Sequence, residues 1–162
     1  MSPDRGAEAF ERLYEEHAAA LLAFLTYQTG DRDLAEDIVA DTFERVLTTA
    51  SRWRGRSSEK TWLYTIAMNR LRDLSRRRGA EARALQRVST LSTAPDELSA
   101  VGDRDLLQRG LQQLPDEERT VIALRFGADL SLQEIAKLLG QRQTTVEGRL
   151  YRGLRRLRDA VT

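Results

Sequence analysis

Residues 131–158 set the tightest limit on what this chain can fold into. Ser131 and Glu134 stand at the spacing of a capping box, hydroxyl to one orphan amide and carboxylate back to another. Ile135, Leu138 and Leu139 follow at helical spacing, and Gly140 can take the left-handed conformation that stops a helix. Thr144 and Glu147 repeat the cap spacing, which predicts a second helix from near Thr144 packed through Val146, Leu150, Leu154 and Leu157. Its start and its other faces are polar and rich in arginine. A short helix bracing a basic helix across a glycine turn is the helix-turn-helix device for the DNA major groove. An amphipathic helical hairpin with a solvated basic face is the competing reading.

The rest of the chain is also helical in pattern. There are 3 prolines and 10 glycines in 162 residues, and no sustained period-two alternation, so an all-α fold is expected. Phe10, Leu13, Tyr14, His17, Leu21, Phe24 and Leu25 mark the apolar side of a first helix ending near Gly30. Asp31 or Asp33 can cap a second, with Leu34, Ile38, Phe43, Val46 and Leu47 as its apolar contributors. A third starts near Ser58 and packs Leu63, Ile66, Ala67, Leu71 and Leu74. Periodicity fades from Ala84 to Gly102, where a flexible linker is expected between units at 7–83 and 103–162. The second unit opens with a helix from about Asp103 to Leu114. Pro115 and the Asp116-Glu117-Glu118 run then start another, which extends to about Phe126.

Several function classes are excluded or left without support. The chain has no cysteine and one histidine, His17, so thiolate and histidine-cluster metal sites are ruled out and no cofactor is expected. No glycine-rich phosphate loop, Gly-x-Ser-x-Gly or His-Glu-x-x-His is present, and no catalytic residues are assigned. No apolar run can span a bilayer and no signal-peptide pattern appears, so a cytoplasmic protein without membrane insertion is expected.

The net charge of +1 conceals segregation. Residues 1–50 carry 4 basic and 11 acidic side chains, residues 51–88 carry 11 and 3, residues 89–137 carry 5 and 9, and residues 138–162 carry 6 and 2. Two basic blocks separated by acidic ones suggest two nucleic-acid contacts, with acidic surface left for another partner. The first basic block mixes Arg52, Trp53, Arg54 and Arg56 with Trp62 and Tyr64. Unpaired bases stack on aromatic faces, so cations beside aromatics suit a single strand. Asn69 and Asp73, four apart on the next helix, could hydrogen-bond such bases. The alternative reading places Trp53, Trp62 and Tyr64 mainly in the core.

Four stretches now stand in a telling order: Ala35–Val46, Thr61–Arg70, Leu114-Pro-Asp-Glu-Glu-Arg119 and the terminal helix-turn-helix. Together they closely resemble a bacterial RNA polymerase sigma factor of the extracytoplasmic-function group, over nearly the whole chain. The resemblance implies two helical domains, sigma domains 2 and 4, and a role in directing core polymerase to −10/−35 promoters and assisting their melting. Glu36, Asp37, Asp41, Phe43, Glu44 and Arg45 would dock on the clamp helices of the polymerase β′ subunit, with the β subunit also contacted. Arg52, Arg54, Arg56, Ser57, Trp62, Asn69, Arg72, Asp73 and Arg76 would take the single-stranded −10 element. Arg142, Gln143, Thr144, Thr145, Glu147, Gly148, Arg149, Tyr151, Arg152 and Arg155 would read the −35 element as duplex. Many members are held by an anti-sigma factor, a further possible partner. In the holoenzyme the protein would be associated with the nucleoid.

The chain departs from the family at Glu147 and Gly148, where Lys or Arg and then Ser are common. Glu147 can cap the helix or accept from a cytosine amino group. Gly148 costs helix stability, about 1 kcal/mol relative to Ala, and Gly153 weakens the same helix again. Two other functions remain open from the residues: a helix-turn-helix regulator that is not a polymerase subunit, and an interaction protein that mimics sigma.

Overall fold

A computed structural model describes residues 3–49, 58–86 and 102–161. All of its regular structure is helical: α1 (Pro3–Thr29), α2 (Arg32–Thr49), α3 (Glu59–Gln86), α4 (Gly102–Gln113), α5 (Asp116–Ile122), α6 (Leu132–Leu139) and α7 (Gln143–Val161).

Side-chain caps start the early helices. Asp31, rather than Asp33, caps α2: its Oδ1 accepts from the Leu34 amide at 3.2 Å. Ser58 caps α3 by accepting from the Thr61 amide at 3.0 Å. With only Gly30 and Asp31 between them, α2 folds back along α1, and α3 packs on α2 with its Tyr64 reaching Phe24 of α1. Leu21, Phe24, Leu25, Ala35, Ile38, Leu63, Tyr64 and Ala67 form the dry centre of this unit. The buried Thr42 hydroxyl donates to the Ile38 carbonyl at 2.6 Å, so a polar group sits there without loss. Two residues expected in the core are instead exposed: Tyr14 at 49% and Leu47 at 60%. The α3 helix continues to Gln86, into the segment read as a linker, whose residues 87–101 lie outside the described ones.

In the second unit Pro115 stands just before α5 with an extended ψ of 145°, and three carboxylates follow in its first turn. The helix then widens. The Ala128 amide bonds the Ala123 carbonyl, five residues back, at 3.1 Å, making a π-type turn over Ala123–Gly127. The α6 capping box forms in full, with Ser131 Oγ accepting from the Glu134 amide and Glu134 Oε1 accepting from the Ser131 amide. Gly140 ends α6 at φ 65°, in the left-handed region.

The second expected cap does not form. Helix α7 begins at Gln143, and the Thr145 and Val146 amides close on the Arg142 carbonyl. Starting two residues early places Glu147 beyond the position from which it could reach back, and its carboxylate accepts from the Gln143 side chain at 3.3 Å instead.

The two units share one core. A single apolar cluster runs from Phe24 and Tyr64 through Val121, Ala123 and Leu124 to Ile135 and Val146. Gly127 allows this, because a Cβ there would stand 3.0 Å from the Phe24 Cα and 2.7 Å from Tyr27 Cδ2. Polar bonds frame the seam: Gln28 Nε2 donates to Thr120 Oγ1 at 3.0 Å, Gln108 to the Thr26 carbonyl and Gln112 to the Tyr27 carbonyl, both at 3.3 Å. Lys60 pairs with Glu134 at 3.5 Å. A second small cluster, Leu111, Leu114 and Ile122, holds α4 and α5 against Leu154 and Leu157 of α7.

Candidate protein and nucleic-acid interfaces

The acidic face of α2 leaves Glu36, Asp37, Glu44 and Arg45 exposed, with Arg32 Nε 3.1 Å from Glu36. Asp41 is tied down: Arg70 Nε donates to its Oδ2 at 2.8 Å, clamping α2 to α3. Arg70 was not singled out from the sequence, because the partner lies 29 residues away on another helix. Phe43 is placed differently from the expectation that it meets polymerase. It is 4% exposed, in edge contact with the rings of Phe10 (centroids 6.0 Å apart) and Tyr14 (4.9 Å). A ring buried among its own neighbours has no face for a partner. The aromatic surface offered there is that of Tyr14, with Leu47 further along α2.

Arg52, Arg54, Arg56 and Ser57 lie outside the described residues, as does Trp53. Trp62 is half-buried and packs against the main core. Tyr64 is wholly buried with its ring centroid 5.7 Å from that of Phe24, and burial pushes its phenol pKa well up. Asn69, Arg72, Asp73 and Arg76 are exposed, but α3 sends them to two sides. Asn69 and Asp73 join Asp41, Glu44, Arg45 and Arg70 around a surface pocket of about 450 Å³. Arg72 and Arg76 line a larger cleft of about 680 Å³, whose opposite wall includes Glu117, Gln141 and Arg149 of the second unit.

The terminal helix presents Arg142, Gln143, Thr144, Thr145, Tyr151, Arg152 and Arg155 to solvent, while Val146 and Gly153 face inward. Glu147, Gly148 and Arg149 are half-buried. Arg149 is engaged within the protein: its guanidinium donates to Gln141 Oε1 and lies 3.4 Å from Glu117. Further along, Arg156 pairs with the buried Glu118 at 3.2 Å, fastening α7 to α5. At α6, Glu134 titrates below the usual carboxylate range, chiefly because it accepts the Ser131 amide and secondarily because Lys60 is near. Among the described residues no group of three or more His, Asp or Glu side chains is placed to hold a metal ion, and no helix is long and apolar enough to cross a membrane.

This pairing of a three-helix unit and a basic helix-turn-helix has close counterparts. The sequence model of Sigma-70 region 2 matches residues 13–81, and that of Sigma-70 region 4 matches residues 104–157. The chain belongs to the sigma-70 family. The extracytoplasmic-function (ECF) RNA polymerase sigma factor SigX of Bacillus subtilis is 33% identical over 160 residues, covering 93% of this chain and 82% of SigX. The ECF sigma factor SigL of Mycobacterium tuberculosis is 34% identical over 163 residues, covering 94% and 88%. Among solved structures, the sigma factor RpoE from Bartonella quintana, in complex with the anti-sigma factor NepR, aligns with a TM-score of 0.78 at 25% identity, over 95% of this chain and 97% of that one. CnrH, in complex with the cytosolic domain of CnrY, aligns at 0.69 and 27% identity, over 94% and 87%. This sigma factor, of the ECF group, is a promoter-specificity subunit that binds core RNA polymerase and promoter DNA.

Proposed function

We propose that the three surfaces divide the work of initiation. Residues 7–83 act as domain 2, 103–162 as domain 4 and 84–102 as the connection. On domain 2, Glu36, Asp37, Glu44 and Arg45 dock on the β′ clamp helices, with Asp41 held in register by Arg70 and Phe43 supporting Tyr14 from below. The stretch with Arg52, Arg54, Arg56 and Ser57, together with Trp62, Asn69 and Asp73, takes an unstacked −10 base. Arg72 and Arg76 hold its backbone. On domain 4, the exposed face of α7 enters the −35 major groove, and Arg142, Arg152 and Arg155 supply cations for phosphates.

The observation that carries this reading is the amphipathic split of α7: Val146 and Gly153 are buried, and the exposed residues between Arg142 and Arg155 face away from the core. Melting needs no chemical step by the protein. Unstacking a base costs a few kcal/mol, offset by pocket and phosphate contacts. The factor works in the cytoplasm, and on the nucleoid within holoenzyme. RpoE and CnrH are bound to anti-sigma proteins in the aligned structures, and a partner of that kind is proposed here too.

Purified chain added to core polymerase on a linear promoter template tests the assignment. Promoter-dependent transcript is the expected result. DNA binding that needs no polymerase, or core binding without initiation, would instead identify a free regulator or a sigma mimic. For the −35 surface, Arg152→Ala should weaken binding to all sequences alike and lower the salt slope by about one. An unchanged slope would remove Arg152 from the phosphate contacts.

A further inference from the structure

Two glycines interrupt α7, and packing explains only one. A Cβ at Gly153 would stand 2.8 Å from Ile122 Cδ1 and 3.2 Å from Glu118 Cβ, so the seat of α7 on α5 excludes a side chain there. Gly148 is different. The nearest atoms a Cβ would meet belong to the guanidinium of Arg152, with Nη1 at 3.0 Å, the movable end of an exposed side chain on the same helix. A mid-helix glycine costs about 1 kcal/mol relative to alanine. Nothing within the protein requires it at 148.

The residue before it is Glu147, an acidic side chain in a stretch of sequence that also carries Arg142, Arg149, Arg152 and Arg155. Capping is not its role, because α7 already begins at Gln143 and the carboxylate accepts from the Gln143 amide group rather than the backbone. Nor does it neutralise the helix, since no ion pair joins it to an arginine among the described residues. A carboxylate carried into a DNA groove is repelled by phosphates and can only accept. In the major groove guanine and thymine present acceptors, whereas cytosine N4 and adenine N6 donate.

We propose that Glu147 is a base-discriminating acceptor, selecting an exocyclic amino group, of cytosine or adenine, at one position of the −35 element. Gln143 holds the carboxylate, and the missing side chain at Gly148 lets the base edge come up beside it. This rests on the placement of α7 at the −35 element proposed above.

The test is initiation by holoenzyme from a promoter library randomised across the −35 region, using the wild-type factor, Glu147→Ala and Gly148→Ala. Wild type should require cytosine or adenine on one strand at one position, with guanine or thymine there lowering initiation at least about fivefold. Glu147→Ala should flatten that position to within about twofold and leave the others intact. Gly148→Ala should lower initiation from promoters with the preferred base more than from the others while raising the thermal unfolding midpoint. An equal loss on all promoters, as from displacement of the phosphate-binding Arg152, removes the glycine from the inference. A wild-type holoenzyme indifferent to the whole −35 region overturns the placement of α7, and this inference with it. A −35 preference that survives unchanged in Glu147→Ala, or falls uniformly at every position, overturns the inference alone. Unaltered initiation by Gly148→Ala removes the glycine from it.

Discussion

The α6–α7 hairpin and the seam between the two units are held by opposite kinds of interaction. In the hairpin, the decisive contacts are between residues a few positions apart: Ser131 with Glu134, Gly140 at its left-handed turn, Gln143 with Glu147. Across the seam they join residues far apart in the chain, such as Gln28 with Thr120, Gln108 with the Thr26 carbonyl, and the bare Cα of Gly127 against Phe24. Local contacts set where a helix starts and stops; distant ones set which surfaces of finished helices meet. The consequence here is a shared cleft. The seam turns Arg72 and Arg76 of α3 toward Arg149 and Glu117 of the second unit, across one cleft.

Breaking the seam should cost most. Gly127→Val places a branched side chain where even a Cβ meets the Phe24 backbone, and overpacking of this kind typically costs about 1–3 kcal/mol. Its thermal midpoint should fall, and a fluorescence pair spanning α1 and α6 should report a greater separation. A normal midpoint and separation would mean that the close approach of the π-type turn to α1 does not hold the units together.

Ser131→Ala, a purely local change, should cost about 1 kcal/mol through loss of the cap. It should leave the distance between units unaltered in the same fluorescence measurement. If the separation changed as much as in Gly127→Val, the distinction between local and long-range control would fail.

The smallest effect is expected at Lys60–Glu134, which spans the seam but is partly exposed. Lys60→Ala should change stability by at most about 1 kcal/mol, and less in high salt. The pH dependence has a definite sign. The folded state lowers the Glu134 pKa beneath its ordinary 4.5, so its contribution is present above that value and is lost as pH falls through the depressed one. Glu134→Gln should therefore flatten the acid limb of a stability–pH curve measured by chemical denaturation. An acid limb identical to wild type would show that the carboxylate contributes nothing there.

The fold was legible where its causes are local. Ser58, Asp31, Ser131 and Gly140 are punctuation whose geometry depends on neighbours within a few residues. The Thr144–Glu147 cap misled for the same kind of reason: its spacing is right, but the helix closes two residues earlier on the Arg142 carbonyl. Among site residues, the exposed arginines of α7 could be read from periodicity. The burial of Phe43 agrees with the apolar stripe of the second helix, but the exposure of Tyr14 could not be read, because it fits the stripe of the first helix and only the crossing of α1 over α2 decides which part is covered. Arg70 was invisible for want of its distant partner, Asp41.

The sequence by itself determined the class of this protein: helices in a given order, two basic blocks, and motifs that place it among sigma factors. These are properties of spacing, and spacing survives without knowledge of contacts. Only the tertiary structure decided which α3 residues face α2 and which face the second unit, that the two units share a core through Gly127, and that packing accounts for Gly153 but not Gly148. Each of those is a question of which atoms occupy the same space, and a linear order of residues does not contain the answer.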